Sequence, residues 1–392
     1  MAASKKYLCK NILNEPINIY ALDVNGFIKN VSGLSTSQLL TVIPSYVKYM
    51  GYTHALILNS DHNALKNELD LCKVTDAFHS YGIKVFIQAR SQDITDKNLY
   101  ISSLKNIVIS YGIEGVFFDQ PILDYCDTAL IKEANDTIHA ISSSMITITT
   151  DEIAAVCSDS AFDLVVNSRL FNKVLDYVSI DPYFRKYSQQ DFEFSLFSSK
   201  NNNIVSLSCL NFLSSFKSVF LNSYGSFRDK LDQKRAIDLL LLSIRGKKLT
   251  LMGGEFAGDN FDAGAPNVDW MLLETQQHLD LRSYTRALNT FYLTTPIFHS
   301  SEDGVELAQF SGFDNSKNVI ALTRTSKDEK IMTVVNLSGI EQSIDVQSNG
   351  NTECIFATSH RLDNNSVVKS YNPENIYTIT LPAFSGAVYR LK

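Results

Sequence analysis

The segment GVFFDQP, residues 115–121, places an aspartate at the end of an apolar run and follows it with a proline. A short run of valine and phenylalanine favours a buried β-strand. Proline cannot donate to a ladder of backbone hydrogen bonds, so it ends such a strand. The segment therefore predicts one strand, with Asp119 at its carboxyl end.

Similar apolar runs recur between residues 17 and 252, and segments of helical period separate most of them. Eight runs qualify as strands: 17–22, 54–58, 84–89, 115–119, 145–149, 162–167, 204–209 and 248–252. Alternating strand and helix patterns are typical of repeated βα units. Eight units favour a closed (β/α)8 TIM barrel over an open doubly wound sheet, and we expect this α/β barrel to occupy residues 1–304.

The remainder of the chain has a different pattern. After about residue 305 the helical period disappears, and short alternating runs such as NVIALTRT (318–325) and KIMTVVNLS (330–338) replace it. Alternation of apolar and polar residues is typical of strands with one buried face. We therefore predict an all-β domain over residues 305–392, either a sandwich or a small Greek key.

The composition excludes several classes of partner. The 392 residues carry a formal net charge of -7 without long runs of one sign, which gives no basic footprint for nucleic acid or a membrane surface. The six cysteines are scattered without a CxxC motif, a pattern that suits free thiols in a reducing compartment. No stretch of about 18 apolar residues is present. We expect a cytoplasmic protein without a metal or other cofactor.

The polar residues at the strand ends indicate the chemistry, because (β/α)8 enzymes place their working residues there. This ring contains several acids, few histidines and no phosphate-binding glycine loop, which favours carbohydrate over phosphate chemistry. Its members are Asp23, Asn59, Asp61, residues 88–93, Asp119, residues 149–152, Asn167, residues 209–211 and Glu255.

Four longer segments resemble successive landmarks of one enzyme family. They are DYVSIDPYFRKYSQQDFEFSLF (176–197), KKLTLMGGEFAG (247–258), VDWMLLE (268–274) and YTRALNTFY (284–292). They are similar to landmarks of the bacterial glycogen (1,4-alpha-glucan) branching enzymes, in the alpha-amylase superfamily of glycoside hydrolases. The resemblance covers nearly the whole chain and implies a TIM barrel with a C-terminal β-domain, acting in alpha-glucan metabolism.

Branching enzymes, as the resemblance implies, are retaining transferases in which an aspartate attacks the α-1,4 linkage and a glutamate protonates the leaving oxygen. Their fourth-strand motif Gly-x-Arg-x-Asp reads GVFFD here, so Asp119 keeps the nucleophile position and Phe117 replaces the arginine. Alternation along a strand makes Phe117 and Asp119 point the same way. Desolvation without a counter-charge raises a carboxyl pKa, so we expect a poorer nucleophile.

The other catalytic positions of the family are substituted. On the third strand, Gln88 and Asp93 replace an aspartate and a sugar-binding histidine. On the fifth, the position of the general acid holds Thr150, or Asp151 if the alignment slips by one residue. On the seventh, Cys209 and Leu210 replace a histidine and the third acid. Only one member of the catalytic carboxylate set is clearly retained.

The loops after the second and third strands are also shorter than in the family, and the family's N-terminal carbohydrate-binding module has no counterpart. We therefore predict a degenerate, catalytically inactive or severely impaired pseudoenzyme that binds alpha-glucan or regulates a glucan-metabolising partner. One alternative is an active branching transferase or hydrolase that uses Asp119 with Asp151 or Glu152 as a rewired acid. Another is a structural or assembly protein whose barrel mouth is a protein interface.

For several of these residues a structural role is the simpler interpretation. Glu255 lies in a turn that is mainly architectural in the family, and Trp270 suits core packing better than a sugar platform. Asp119 itself could be a polar group satisfied by neighbouring donors, since buried polar groups are paired. Asp151 and Glu152 could belong to a solvated loop.

Overall fold

A computed structural model describes most of the chain. The described residues are 14–31, 33–58, 70–89, 96–119, 128–157, 161–208, 218–262, 265–300, 306–309, 317–347, 352–359, 367–369 and 376–391. Within these ranges, no helix is both long and apolar enough to cross a bilayer.

Eight parallel strands form a closed barrel, in the order in which they occur along the chain. They are β1 (Asn18–Asp23), β2 (His54–Leu58), β3 (Lys84–Ala89), β4 (Gly115–Phe118), β5 (Ile146–Thr150), β6 (Leu164–Val166), β7 (Asn203–Ser206) and β8 (Lys247–Leu251). The barrel closes where β1 pairs with β8. The predicted TIM barrel is confirmed. β2 and β3 match their predicted bounds, and the ends of the other strands differ by at most three residues. β4 ends just before Asp119, and β6 is shorter than its apolar run.

Helices surround the barrel, and several begin at a residue whose side chain caps the helix. Ser35 accepts from the backbone of Gln38 in a capping box, and Ser226 does the same with Asp229. The described helices are α1 (Val24–Ile28), α2 (Thr36–Tyr49), α3 (Leu71–Ser80), α4 (Lys97–Tyr111), α5 (Thr128–Ile141), α6 (Asp151–Cys157), α7 (Ser168–Ser179), α8 (Gln189–Phe197), α9 (Val219–Asn222), α10 (Phe227–Ser243) and α11 (Gln276–Thr294).

The barrel interior is a packed core rather than a channel. Phe86 and Phe117 are almost fully buried and belong to one apolar cluster with Ile148. Gly115 makes room for the first ring, because a Cβ atom there would lie 2.5 Å from a ring carbon of Phe86. Large side chains filling the interior are typical of TIM barrels. The carboxyl ends of the strands are therefore the part of the barrel that can hold a site.

The C-terminal part consists of two antiparallel sheets. The first has the order β11 (Glu306–Gln309), β12 (Val319–Thr325), β13 (Lys330–Asn336), β18 (Ser385–Leu391), β15 (Thr352–Ala357). The second has the order β14 (Gln342–Gln347), β17 (Ile376–Leu381), β16 (Val367–Lys369). A separate hairpin of β9 (Asp259–Asp262) and β10 (Ala265–Val268) follows the barrel.

One apolar cluster contains residues from both C-terminal sheets, among them Met332 and Val334 from the first and Ile344 and Ile379 from the second. The two sheets therefore share a core, as in a sandwich. The first sheet also contacts the barrel, where Thr333 Oγ1 donates to Ser243 Oγ at the end of α10 over 2.9 Å. The predicted C-terminal β-region is confirmed. Its boundary at residue 304 stays a prediction, because residues 301–305 lie outside the described part.

Candidate functional site at the barrel mouth

Asp119 follows β4 directly, at the carboxyl end of the barrel, and neighbours the end of β3. In the register of β3 and β4, Gln88 is paired with Phe117. The Gln88 side chain therefore reaches Asp119, which points the same way as Phe117 two residues later. There Gln88 Nε2 donates to Asp119 Oδ2 over 2.8 Å, and both side chains are buried. The carboxylate to which the resemblance assigns the nucleophile position thus accepts a hydrogen bond from a neutral amide.

Phe117 lies on the same face of β4, two residues before Asp119. Its ring is 1 % exposed and is part of the barrel core. An apolar ring supplies neither a hydrogen bond nor a positive charge, so it cannot perform the charge-assisted pairing that a guanidinium gives a carboxylate. The strand position that the resemblance assigns to an arginine is therefore a packing position in this chain.

The two candidate positions for the fifth-strand acid have different surroundings. Thr150 is the last residue of β5 and is buried. Asp151 is the first residue of α6, and its Oδ2 accepts from the backbone N–H of Arg169 over 3.1 Å. The same oxygen lies 3.7 Å from Arg169 Nε. The Asp151 carboxylate is thus engaged at the first turn of α7.

Glu152 adjoins Asp151 and also contacts the start of α7. Ser168 Oγ donates to Glu152 Oε2 over 3.4 Å. Burial, followed by a hydrogen bond with Asp151, raises the pKa of Glu152 above its ordinary value. A carboxyl that keeps its proton to higher pH has a property that a general acid needs.

Other polar residues of the ring serve the fold. Asp23 Oδ1 accepts from the backbone of Gly26 at 2.8 Å and caps α1. Asn167 Oδ1 accepts from the backbone of Leu170 at 3.0 Å and caps α7. Side chains that satisfy the free N–H groups of a helix start are structural. The remaining predicted positions lie outside the described residues: Asn59, Asp61, residues 90–93 with Asp93, and residues 209–211 with Cys209 and Leu210.

Glu255 is fully buried behind the barrel wall, in agreement with an architectural role. Its Oε1 accepts from Tyr20 Oη at 2.9 Å and from Tyr46 Oη at 2.7 Å, and its backbone oxygen accepts from Thr285 Oγ1. Burial, and then the Glu255 charge, raises the pKa of both tyrosines well above the ordinary value. The two tyrosines belong to β1 and α2, so this carboxylate joins two elements to the turn after β8.

Trp270 packs beside this network. Its ring lies 4.8 Å from that of Phe27 and 5.3 Å from that of Tyr46, and Nε1 donates to the backbone oxygen of Phe27. Trp270 is thus a partly buried ring with a satisfied N–H that packs against the core. Among the residues that the structure describes, no cluster of three or more histidine, cysteine or acidic side chains could hold a metal ion.

The sequence of the chain is similar to those of enzymes named 1,4-alpha-glucan branching enzyme GlgB. It is 26 % identical to that of Nitrosomonas europaea over 247 residues, which cover 58 % of this chain and 34 % of the relative. It is 30 % identical to that of Chlamydia pneumoniae over 205 residues, or 50 % and 28 % of the two chains. This chain covers less than two thirds of each of these relatives. No protein-family model matches it.

Solved structures share the architecture at low sequence identity. AmyP in complex with maltose superposes with a TM-score of 0.71 at 10 % identity, covering 98 % of each chain. The alpha-amylase of Geobacillus thermoleovorans, complexed with acarbose, gives a TM-score of 0.69 at 13 % identity, covering 97 % of this chain and 98 % of that chain. These similarities show the fold.

Proposed function

Because the chain is branching-enzyme-like in sequence and has the fold of the alpha-amylase superfamily, we propose that it binds alpha-glucan but has lost, or almost lost, catalysis. It would act in alpha-glucan metabolism as a binding or regulatory protein. The branching enzymes among its relatives and the maltose and acarbose complexes among its structural neighbours support glucan as the ligand. The scattered cysteines support a cytoplasmic location.

The observation that carries this proposal is the environment of Asp119. A retaining glycosidase needs a nucleophilic carboxylate and an acid about 5–5.5 Å apart. In this chain Asp119 is bound by the Gln88 amide above an apolar ring, while Asp151 and Glu152 bind the start of α7. Loss of a general acid alone costs about 10²–10⁴-fold in rate. Further losses need not multiply, but they leave little of the ordinary mechanism.

A second candidate function is supported by Glu152. Its raised pKa favours an active glucan transferase or hydrolase in which Asp119 attacks and Glu152, or Asp151 beside it, gives the proton. This candidate needs the acid side chain to leave its contact with Ser168 when substrate binds. The two functions make opposite predictions for turnover.

The deciding experiment uses the full chain and amylose. New α-1,6 linkages and new reducing ends are followed over time, and glucan retention is measured in the same buffer by affinity electrophoresis. We compare the wild type with Asp119→Asn and Glu152→Gln, and use Glu133→Gln as the control because Glu133 is an exposed acid on α5.

We expect glucan retention without new linkages or reducing ends. Turnover that disappears in Asp119→Asn and persists in Glu133→Gln would establish the second candidate. The absence of both turnover and retention would overturn the proposed glucan role. It would leave the barrel mouth as a protein interface.

A further inference from the structure

A groove of about 450 Å³ lies between the loop that follows α7 and the C-terminal β-region. Asp181 and Tyr183 line it on the barrel side, and Asn318 and Gln342 line it on the other side. Its volume is in the range of about 300–1,000 Å³ that small-molecule sites occupy. None of its lining residues belongs to the strand ends that form the barrel mouth.

Exposed aromatic rings mark this region. Tyr183 is 71 % exposed and Tyr224 is 49 % exposed, and both line the groove. Phe184 packs edge-on against Tyr183 with ring centroids 5.1 Å apart, and Lys186 Nζ lies 5.1 Å from the Tyr183 centroid. Large exposed apolar groups that cluster with a polar rim indicate an interaction site. Tyr183 is therefore held by Phe184 and Lys186 and still exposes its ring to a ligand.

The groove wall contains an amide oxygen that has no donor. Asn318 is only 5 % exposed, and its Nδ2 donates to the backbone oxygen of Pro182 over 2.8 Å. Its Oδ1 is buried and accepts no hydrogen bond. An unpaired buried acceptor costs about 1–3 kcal/mol, so such groups usually have a reason. This wall of the groove is therefore polar.

The backbone at the groove is held in an uncommon conformation at two places. Asn318 has φ 52° and Phe384 has φ 50°, and both residues line the groove. Within the described ranges, three residues other than glycine have a positive φ, and these are two of them. Asparagine tolerates this region, but for a bulky residue it is a strained conformation that persists mainly where function requires it.

The charged side chains that line the groove limit the chemical class of ligand that it can bind. Asp181 and Asp229 are balanced by Lys186 and Lys317, so the lining gives no net positive field for a phosphate. The lining combines ring faces with carboxylate, amide and hydroxyl groups. A pyranose ring has a matching surface, with an apolar C–H face and a rim of hydroxyl groups. This combination suits a neutral sugar better than an anion or a purely apolar peptide.

We propose that this groove is a binding site for a short segment of alpha-glucan, separate from the barrel mouth. The proposal rests on the proposed function for the choice of glucan. A sugar ring stacks on Tyr183, and its hydroxyl groups donate to the Asp181 carboxylate. The site would hold a glucan chain without any contribution from Asp119.

The test measures maltoheptaose binding by titration calorimetry with the full chain. Tyr183→Ala removes the stacking surface and should weaken binding about five- to tenfold. Tyr187→Ala is the matched control, because this ring is 77 % exposed in the same segment but does not line the groove. Asp181→Asn keeps the shape and should weaken binding by a smaller factor. Circular dichroism confirms folding of each variant, which is expected because these side chains lie at the surface.

Asp119→Ala separates the groove from the mouth. Binding that survives Tyr183→Ala and is lost in Asp119→Ala would overturn the proposed glucan site in the groove and leave the proposed function intact. Equal weakening by Tyr183→Ala and Tyr187→Ala would also overturn it, since the effect would then belong to the segment rather than the groove. No binding by the wild type would overturn both proposals.

Discussion

The barrel mouth and the junction between the barrel and the C-terminal sheets differ in what they retain of the branching-enzyme pattern. At the mouth, Gln88, Phe117 and Thr150 occupy positions to which the resemblance assigns catalytic or substrate-binding residues. At the junction, the segment 176–197 keeps the resemblance, and its Arg185 is completely buried and bonded to both parts of the molecule. The comparison supports the proposal that packing and buried hydrogen bonds were kept while the residues that perform chemistry were replaced.

Arg185 shows what a retained landmark does. Its guanidinium donates to the backbone oxygens of Val178 and Ile180 at the end of α7 and to that of Leu337 after β13, at 2.8, 3.0 and 2.9 Å. It also donates to Gln233 Oε1. A buried cation needs partners for its donors, and these four acceptors engage four of the five N–H groups of the guanidinium. The landmark therefore joins α7 and α10 to the C-terminal sheets.

The largest effect is expected for Arg185→Met. This change leaves buried acceptors without donors, so we expect the free energy of unfolding to fall by about 3–5 kcal/mol. Arg169→Met is the control, because the Arg169 side chain is 77 % exposed, and it should cost less than about 1 kcal/mol. Denaturant unfolding of both variants measures the difference. Equal costs for the two variants would contradict the structural role of this landmark.

Glu255→Ala should have the next largest effect. It removes the acceptor of two buried tyrosine hydroxyls and leaves a cavity, which should lower the free energy of unfolding by about 2–4 kcal/mol. Glu274→Ala at an exposed position is the matched control. Thermal unfolding would show the effect as a lower Tm. A stable Glu255→Ala protein with lost glucan binding would instead assign this residue to function.

The eight barrel strands could be predicted from sequence because each is a short apolar run bounded by polar or turn residues. The packing role of Glu255 could also be predicted, from the resemblance. The burial of Arg185 could not, because arginine is mostly exposed and nothing in FRKY distinguishes its arginine from its lysine. Its partners on α10 and after β13 come together only through tertiary packing.

Part of the candidate site also could not be predicted from the sequence. Gln88 could be recognised as a substitution, but its hydrogen bond to Asp119 depends on the register of β3 and β4. The strand assignment together with side-chain alternation was the signal that could have suggested this contact. The groove had no such signal, because the positive φ of Asn318 and Phe384 depends on the fold around them.

A buried lysine at the amino-terminal end of the barrel provides a further test, in which the free energy of unfolding is measured as a function of pH. Lys247 on β8 is buried and its Nζ donates to the backbone oxygen of Glu15 over 2.6 Å. Burial lowers the pKa of Lys247 from 10.5 to about 7. Between these values the unfolded chain binds a proton that the folded chain has released, so stability rises with pH across this window. Below pH 7 both states are charged and the full cost of burial remains.

We expect Lys247→Met to reduce the rise in the free energy of unfolding between pH 7 and 10 by up to about 1.4 kcal/mol per pH unit, the value for one proton. Lys330→Met at an exposed position should leave the slope unchanged. Denaturant unfolding at several pH values measures both slopes. An unchanged slope in Lys247→Met would show that this lysine stays charged in the folded protein.

The smallest effect, and the most informative about the mouth, is expected for Asp119→Asn. An asparagine keeps an oxygen that can accept from Gln88 Nε2, so a carboxylate that only satisfies its neighbours can be replaced at a cost within about 1 kcal/mol. A carboxylate kept for catalysis is often held at the expense of stability, so its replacement stabilises the protein. Denaturant unfolding distinguishes the two cases by sign. If Asp119→Asn raised the free energy of unfolding by more than about 1 kcal/mol, the barrel mouth would still store strain for a reaction. The mouth would then have kept its chemistry, and the contrast drawn with the junction would be wrong. No gain, together with no turnover on amylose, would mean that the Gln88 amide has made Asp119 part of the scaffold.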